Sequence, residues 1–200
     1  MPIETLIIII LAYFIGSIPF GLILTKLIVK KDLRSLGSGN IGATNVVRAA
    51  GKKLGGLAFF LDASKAIFAI YLAAQFGLQE SSLIFLIGLM AIIGHCFPIW
   101  LKFKGGKGVA TYIGMIFVFD PFLTLFIIGG WYIVFYITQI VSLASILIMC
   151  TIIFYFLFKF EYALIYFIIG AIIVIFRHKE NLQRLLKGEE NNFKNDSKTS

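Results

Sequence analysis

The scarcest commodity in this 200-residue sequence is charge: 14% of the residues are Asp, Glu, Lys or Arg, against about 25% in soluble domains. The runs Thr5–Thr25, Ser81–Leu101 and Pro121–Phe158 contain none of these four types. A core needs a polar shell around it, and such runs leave none, so a water-soluble globule is excluded. Cysteine is equally sparse. Cys96 and Cys150 both lie in apolar runs, without paired spacing or metal-ligand companions, so neither a disulfide framework nor a metal site is expected. The amino terminus, Met1-Pro-Ile-Glu-Thr, lacks the positive stretch that opens a signal peptide, so the first apolar segment is expected to be retained.

What is present is apolar: 60% hydrophobic and 16% aromatic, with mean hydropathy +0.96. The solvent for this chain is lipid. A spanning helix needs roughly 20 apolar residues, so the length allows several spans and no sizeable extramembrane domain.

The formal charge of +8 comes from 18 Lys and Arg against 10 Asp and Glu. Sixteen of the 18 fall in three segments: Lys26 to Lys53, Lys102 to Lys107, and Arg177 onward. Short loops rich in Lys and Arg stay cytoplasmic, so all three clusters are expected on one side, with the amino terminus outside and the carboxyl terminus inside. The basic excess reads as topology, and no nucleic-acid partner is expected.

Three spans are straightforward, at Ile3–Ile28, Gly55–Phe76 and Ser81–Leu101. Between Gly108 and Phe176 only Asp120, Lys159 and Glu161 are charged, and both ends face basic clusters, so an even number of spans must lie between. Two would leave about 50 residues, roughly 75 Å of helix, for one crossing. Four fit better, with breaks at Asp120-Pro121, Gln139–Ser142 and Lys159–Glu161 and spans near 107–119, 121–138, 141–158 and 161–178. The expectation is an all-α polytopic membrane protein of seven transmembrane helices; five spans, with 107–138 counted differently, is the alternative. Residues 1–188 read as one integral membrane unit, and 189–200 as a disordered cytoplasmic tail without chemistry.

Packing helices in lipid does not require glycine-rich cationic loops, yet two basic segments have them. The first is Gly37-Ser-Gly-Asn-Ile-Gly-Ala-Thr-Asn45, followed by Arg48. Such a run lets backbone N–H groups converge on phosphate oxygens, and Arg48, three residues past Asn45, falls on the same face of a following helical turn. The second is Lys104-Gly-Gly-Lys-Gly-Val-Ala-Thr111, a turn leading into a helix amino terminus, where orphan N–H groups and the dipole favour an anion. It is not a Walker A motif, which needs a glycine five positions before the Gly-Lys pair and Ser or Thr after it; here Leu101 and Gly108 stand there. The bland readings are a flexible connector and a topology-setting basic turn. The third segment, Arg177 to Gly188, places Asn181, Arg184 and Gly188 at helical spacings, and on its own reads as a basic helix on anionic lipid.

Inside the spans, Asp62 and Lys65 are three residues apart and are expected to pair. His95 is expected as a hydrogen-bonded packing residue rather than a proton shuttle. Ser142 and Ser145 share the depth of the basic loops; either suits a substrate or a helical carbonyl.

Ser38-Gly-Asn-Ile-Gly-Ala-Thr-Asn45 with Arg48 and Gly51, Gly105-Gly-Lys-Gly-Val-Ala-Thr111, and Asn181-x-x-Arg184-Leu185 with Gly188 resemble, in order and separation, the bacterial acyl-phosphate-dependent glycerol-3-phosphate acyltransferases of the PlsY type. The resemblance runs from about Leu11 to Glu190. It implies transfer of a fatty acyl group from acyl phosphate to the sn-1 hydroxyl of glycerol 3-phosphate, giving lysophosphatidate and phosphate at the cytoplasmic face of the bacterial inner membrane, with no cofactor and no metal. Functional coupling to the enzyme that makes acyl phosphate is also implied. By the same resemblance Arg48, Lys107, His178 and Asn181 are the catalytic set. Ser38, Gly39, Asn40, Thr44, Asn45, Gly105, Gly106, Gly108, Ser142 and Ser145 would bind substrate phosphates. Neither histidine starts the His-x-x-x-x-Asp motif of coenzyme-A-dependent acyltransferases: Trp100 and Gln183 stand at the aspartate position.

The rival reading is a transporter or flippase for a phosphorylated small molecule or lipid. Polar groups near the bilayer midplane on several spans would favour it, and here only Asp62 and Lys65 lie deep. A scaffold that docks soluble enzymes would need no small-residue motifs.

Overall fold

The computed structural model describes residues 2–78, 80–158 and 165–193. Among these residues the chain is helical, without strands. Ten α-helices follow one another: α1 Ile3–Gly16, α2 Phe20–Leu24, α3 Ala43–Ala50, α4 Lys52–Gln75, α5 Ser81–Cys96, α6 Val109–Phe119, α7 Pro121–Thr138, α8 Val141–Leu157, α9 Ile165–Arg177 and α10 Lys179–Leu186. Among the described residues three apolar segments are long enough to cross a bilayer, Lys52–Gln75, Ser82–Leu101 and Pro121–Thr138; the bent pair Ile3–Gly16 with Phe20–Val29 makes a fourth if it is one span. The helices Val109–Phe119, Val141–Leu157 and Ile165–Arg177 are apolar but shorter.

The first expected span is not one rod. Its halves meet at 42°, because Pro19 offers no N–H to the ladder and pushes Ile18 out of helical conformation. The breaks expected at Asp120-Pro121 and Gln139–Ser142 are where the chain turns, the second between Thr138 and Val141. Asp120 accepts the N–H of Leu123 at 2.8 Å and Pro121 opens α7, while Gln139, with φ +57°, closes it. The break expected at Lys159–Glu161 lies outside the described residues.

With lipid outside, burial of apolar surface does not select one helix packing, so close backbone approach must. Gly16 of α1 lies against the Ala91 backbone of α5, Gly94 of α5 against the Tyr13 carbonyl of α1, and Gly114 of α6 against the Ala63 backbone of α4. A side chain at any of the three would strike main chain. Tyr112 of α6, fully buried, donates its hydroxyl to the Phe167 carbonyl of α9 at 2.8 Å. Around this core α7 remains almost bare: 11% of its apolar window is buried, and Phe122 and Phe126 are 85% and 75% exposed. Such an exterior suits hydrocarbon. A smaller cluster of Leu33, Ile41, Val46 and Ala58 supports the first glycine-rich loop.

The buried polar pair is present as expected. Lys65 Nζ lies 2.7 Å from Asp62 Oδ1 and 3.1 Å from His95 Nδ1, and all three residues are buried. Both cysteines are free thiols.

Candidate active site

The glycine-rich loop before α3 is folded around one side chain. Asn45 Oδ1 accepts the N–H of Ser38 at 3.0 Å, and its amide donates to the carbonyls of Leu33, Leu36 and Asn40 at 3.1, 2.9 and 2.8 Å. Gly37 and Gly39 supply φ of +52° and +69°, which L-residues adopt at a cost. Asn40 Oδ1 accepts the Gly42 N–H at 2.9 Å, which sets the entry into α3. Arg48 then stands one turn beyond Asn45 on that helix, as its spacing requires.

The loop before α6 is held from outside. The Gly105 and Gly106 N–H groups donate to the carbonyls of Cys96 and His95, both at 3.1 Å. Their own carbonyls accept from Arg177, at 2.8 Å from Nη2 and 3.1 Å from Nε. A Cβ at Gly105 would strike the His95 carbonyl, and one at Gly106 the His95 ring. Gly108, at φ +88°, turns the chain into α6.

The two loops meet at a cavity of about 300 Å³. Ser38, Asn40, Thr44, Asn45 and Arg48 line it from the first loop and α3; Lys107 and Gly108 from the second; Ser142 and Ser145 from α8; His178 and Asn181 from the start of α10. Of the expected site residues, Gly39, Gly105 and Gly106 are not on its wall; they shape the backbone behind it. The amino termini of α3, α6, α8 and α10 all border this cavity, through Gly42 to Thr44, Gly108 to Ala110, Val141 and Ser142, and His178 and Asn181. None of the four is capped by its own N-cap side chain. First-turn residues of four helices and the cations Arg48 and Lys107 therefore border one space, a geometry that attracts anions.

Burial weakens the charge of Lys107, pushing its ammonium down to about 8, with Arg184 and Arg48 adding to the effect and Glu190 opposing it. His178 is buried and donates from Nδ1 to the Val174 carbonyl at 2.8 Å, which leaves Nε2 as an acceptor. Burial, and Lys107 next, push it down to about 4, so the ring is neutral at pH 7.

Sequence reasoning missed Glu190. It falls in the segment expected to be a solvated tail, yet its Oε1 accepts from Ser142 Oγ at 2.9 Å and Asn181 Nδ2 at 2.6 Å, and its Oε2 from Arg184 Nε at 2.7 Å. Burial alone would raise its carboxyl, and these hydrogen bonds more than reverse that, so it is held below the usual carboxylate range. An acid beside a basic helix was the available signal; its position inside the site was not. Residues 194–200 of the expected tail lie outside the described residues. Also missed was the apolar flank of the cavity, Phe59, Ile113, Ile128 and Trp131, where Trp131 Nε1 donates to Ser145 Oγ at 3.1 Å. Asp62 and His95 reach the cavity too, so one member of the buried pair and its histidine neighbour are part of its wall.

A family model described as glycerol-3-phosphate acyltransferase matches residues 6–188. Among the relatives, the glycerol-3-phosphate acyltransferase of Pelagibacter ubique is 45% identical over 94% of this chain and 96% of its own length, and that of Aquifex aeolicus 45% identical over 95% of this chain and 100% of its own. Two crystal structures of the integral membrane glycerol 3-phosphate acyltransferase PlsY superpose on it. The glycerol 3-phosphate form has a TM-score of 0.87 at 41% identity, covering 95% of this chain and 96% of that one. The lysophosphatidic acid form has a TM-score of 0.85 at 40% identity, covering 94% and 95%. Matched over nearly its whole length in both sequence and helical architecture, this multi-pass membrane chain belongs to the glycerol-3-phosphate acyltransferase family.

Proposed function

We infer that the chain transfers a fatty acyl group to glycerol 3-phosphate in phospholipid synthesis, and we propose acyl phosphate as its donor, with lysophosphatidate and phosphate as products. One observation carries the reading: four uncapped helix amino termini, Arg48 and Lys107 surround a single cavity that has an aromatic and aliphatic flank. Two phosphorylated substrates, one with a long apolar tail, need both kinds of wall. Arg48, Lys107 and the N–H groups of α3 and α6 hold phosphate oxygens. Ser38, Asn40 and Thr44 orient them, and Phe59, Ile113, Ile128 and Trp131 take the start of the acyl chain. Asn45, Gly39, Gly105 and Gly106 act one step back, by shaping the two loops.

In the reaction the glycerol hydroxyl oxygen attacks the acyl carbonyl carbon, the bond from that carbon to the phosphate oxygen breaks, and the hydroxyl proton leaves with the phosphate. Charge building on the carbonyl oxygen and the phosphate is met by preorganised cations and N–H groups. His178, held near 4, is a poor proton acceptor at pH 7; its Nε2 orients the hydroxyl while the departing phosphate takes the proton. His178→Ala therefore retains measurable turnover, whereas a dead His178→Ala enzyme that still binds substrate would make the histidine the base.

The three basic segments, and a cavity lined by residues of all three, support a seven-span topology, amino terminus outside, with the site at the cytoplasmic face of the bacterial inner membrane. There it would meet acyl phosphate from the enzyme that produces it. The decisive assay uses purified protein, labelled glycerol 3-phosphate, and palmitoyl phosphate or palmitoyl-CoA. Lysophosphatidate forms with palmitoyl phosphate alone; formation only with palmitoyl-CoA overturns the donor, and formation with neither overturns the enzyme.

A further inference from the structure

The family model ends at residue 188, but the chain does not leave the site there. Gly188, with φ +70°, reverses its direction, and the Glu189 N–H donates back to the Arg184 carbonyl at 2.8 Å. Glu190 is seated in the cavity, and Asn191 lines it. The Phe193 N–H donates to the Gln139 carbonyl, at the turn between α7 and α8, at 2.9 Å. Residues 189–193 thus form a strap pinned at both ends, by Glu190 on α8 and α10 and by Phe193 on the α7–α8 turn. The Phe193 ring meets Phe135 of α7 edge to face, with centroids 5.6 Å apart and planes at 80°. The Arg48 guanidinium carbon lies 5.9 Å from the centroid of the same ring.

We propose that Phe193 is a positioning residue for the acyl transfer: its ring, braced by Phe135 and tied down through Gln139, holds the Arg48 guanidinium at the cavity. The proposal rests on the function inferred above. An arginine on a short helix has many rotamers, and an aromatic face attracts the guanidinium and narrows that choice. Leucine of similar bulk would fill the space but lacks the ring quadrupole.

The test compares Phe193→Tyr, Phe193→Leu and Phe193→Ala, each with its thermal unfolding midpoint, by steady-state kinetics against both phosphorylated substrates. Phe193→Tyr keeps wild-type values. Phe193→Leu raises KM for one phosphorylated substrate about three- to tenfold with the other KM unchanged, Phe193→Ala does so at least as strongly, and the midpoints stay within a degree or two. The proposal is overturned if Leu performs as well as Tyr, if Ala is silent, or if the loss merely follows the unfolding midpoint. Wild-type protein in the same assay keeps the two ideas apart: an inactive wild type sinks the enzyme assignment, whereas an active wild type with a silent Phe193→Ala sinks only the role of Phe193.

Discussion

Both glycine-rich loops deliver one cation and one helix amino terminus to the same cavity, but they are held in opposite ways. The first, 37–45, is nearly self-contained: its hub is Asn45, bonded to Ser38, Asn40, Leu36 and Leu33, and two of its three glycines, Gly37 and Gly39, serve left-handed turns. The second, 104–108, has no hub of its own. It hangs between the end of α5 and Arg177 at the end of α9, and two of its glycines are there because His95 and Cys96 leave no room for a side chain. A loop of the first kind can be read from its own residues; one of the second kind is legible only when its neighbours are known.

The largest expected effect tests whether the two loops are equal halves of one site. Lys107→Ala and Arg48→Ala each lower kcat/KM by about 100-fold or more, with His178→Ala affected far less, measured as labelled lysophosphatidate formed. If one cation can be removed at little cost, its loop is a topological device and the symmetry fails. Next comes the contrast between the loops themselves. Gly106→Ala pushes into the His95 ring, whose place is fixed by Lys65 and Asp62, and costs at least about tenfold in turnover. Gly39→Ala pays only for its left-handed backbone, about 1 kcal/mol, with activity within a few fold. The reverse order would show that the first loop is the stiffer one.

Stability separates them in the other direction. Asn45→Ala leaves carbonyls and an N–H around a buried amide unsatisfied and costs about 2–3 kcal/mol, read from denaturation in detergent. Arg177→Ala frees two carbonyls of the second loop and shows itself mainly as a raised KM for a phosphorylated substrate.

The smallest effect is in pH. Lys107 is held down to about 8, below its value in an unfolded chain. Its burial therefore costs nothing above the unfolded value, where the amine is neutral in both states; the cost to the ligand-free protein grows as pH falls from there to about 8 and is constant below. A bound phosphate dianion favours the charged amine, so affinity runs the opposite way. From pH 7 to 9 the protonated fraction falls about tenfold, and calorimetric affinity for glycerol 3-phosphate weakens by up to that factor. Lys107→Arg, which stays charged, flattens the profile.

Several local features were legible because their causes are local. Asp followed by Pro favours a helix start, Arg48 follows Asn45 by one turn of α3, and opposite charges at a spacing of three, as in Asp62 and Lys65, favour pairing. The bend at Pro19 had the same kind of cause and was passed over, because hydropathy averages across it. Glu190 was invisible for another reason: an acidic residue past a helix end is read as solvated unless something outside its own segment claims it, and Ser142 and Asn181 do so from 48 and 9 residues away.

The sequence by itself determined that this chain lives in lipid, that it turns at Asp120-Pro121 and at Gln139, and that its cations share segments with its glycines, since hydropathy, proline and charge act over a few residues. Only the tertiary structure decided that the amino termini of α3, α6, α8 and α10 meet at one cavity, that Arg177 carries the second loop, and that the strap from Glu190 to Phe193 closes over Arg48. Those outcomes depend on close helix approach at Gly16, Gly94 and Gly114, which sums contacts over the whole bundle and leaves no signature in any one stretch of chain.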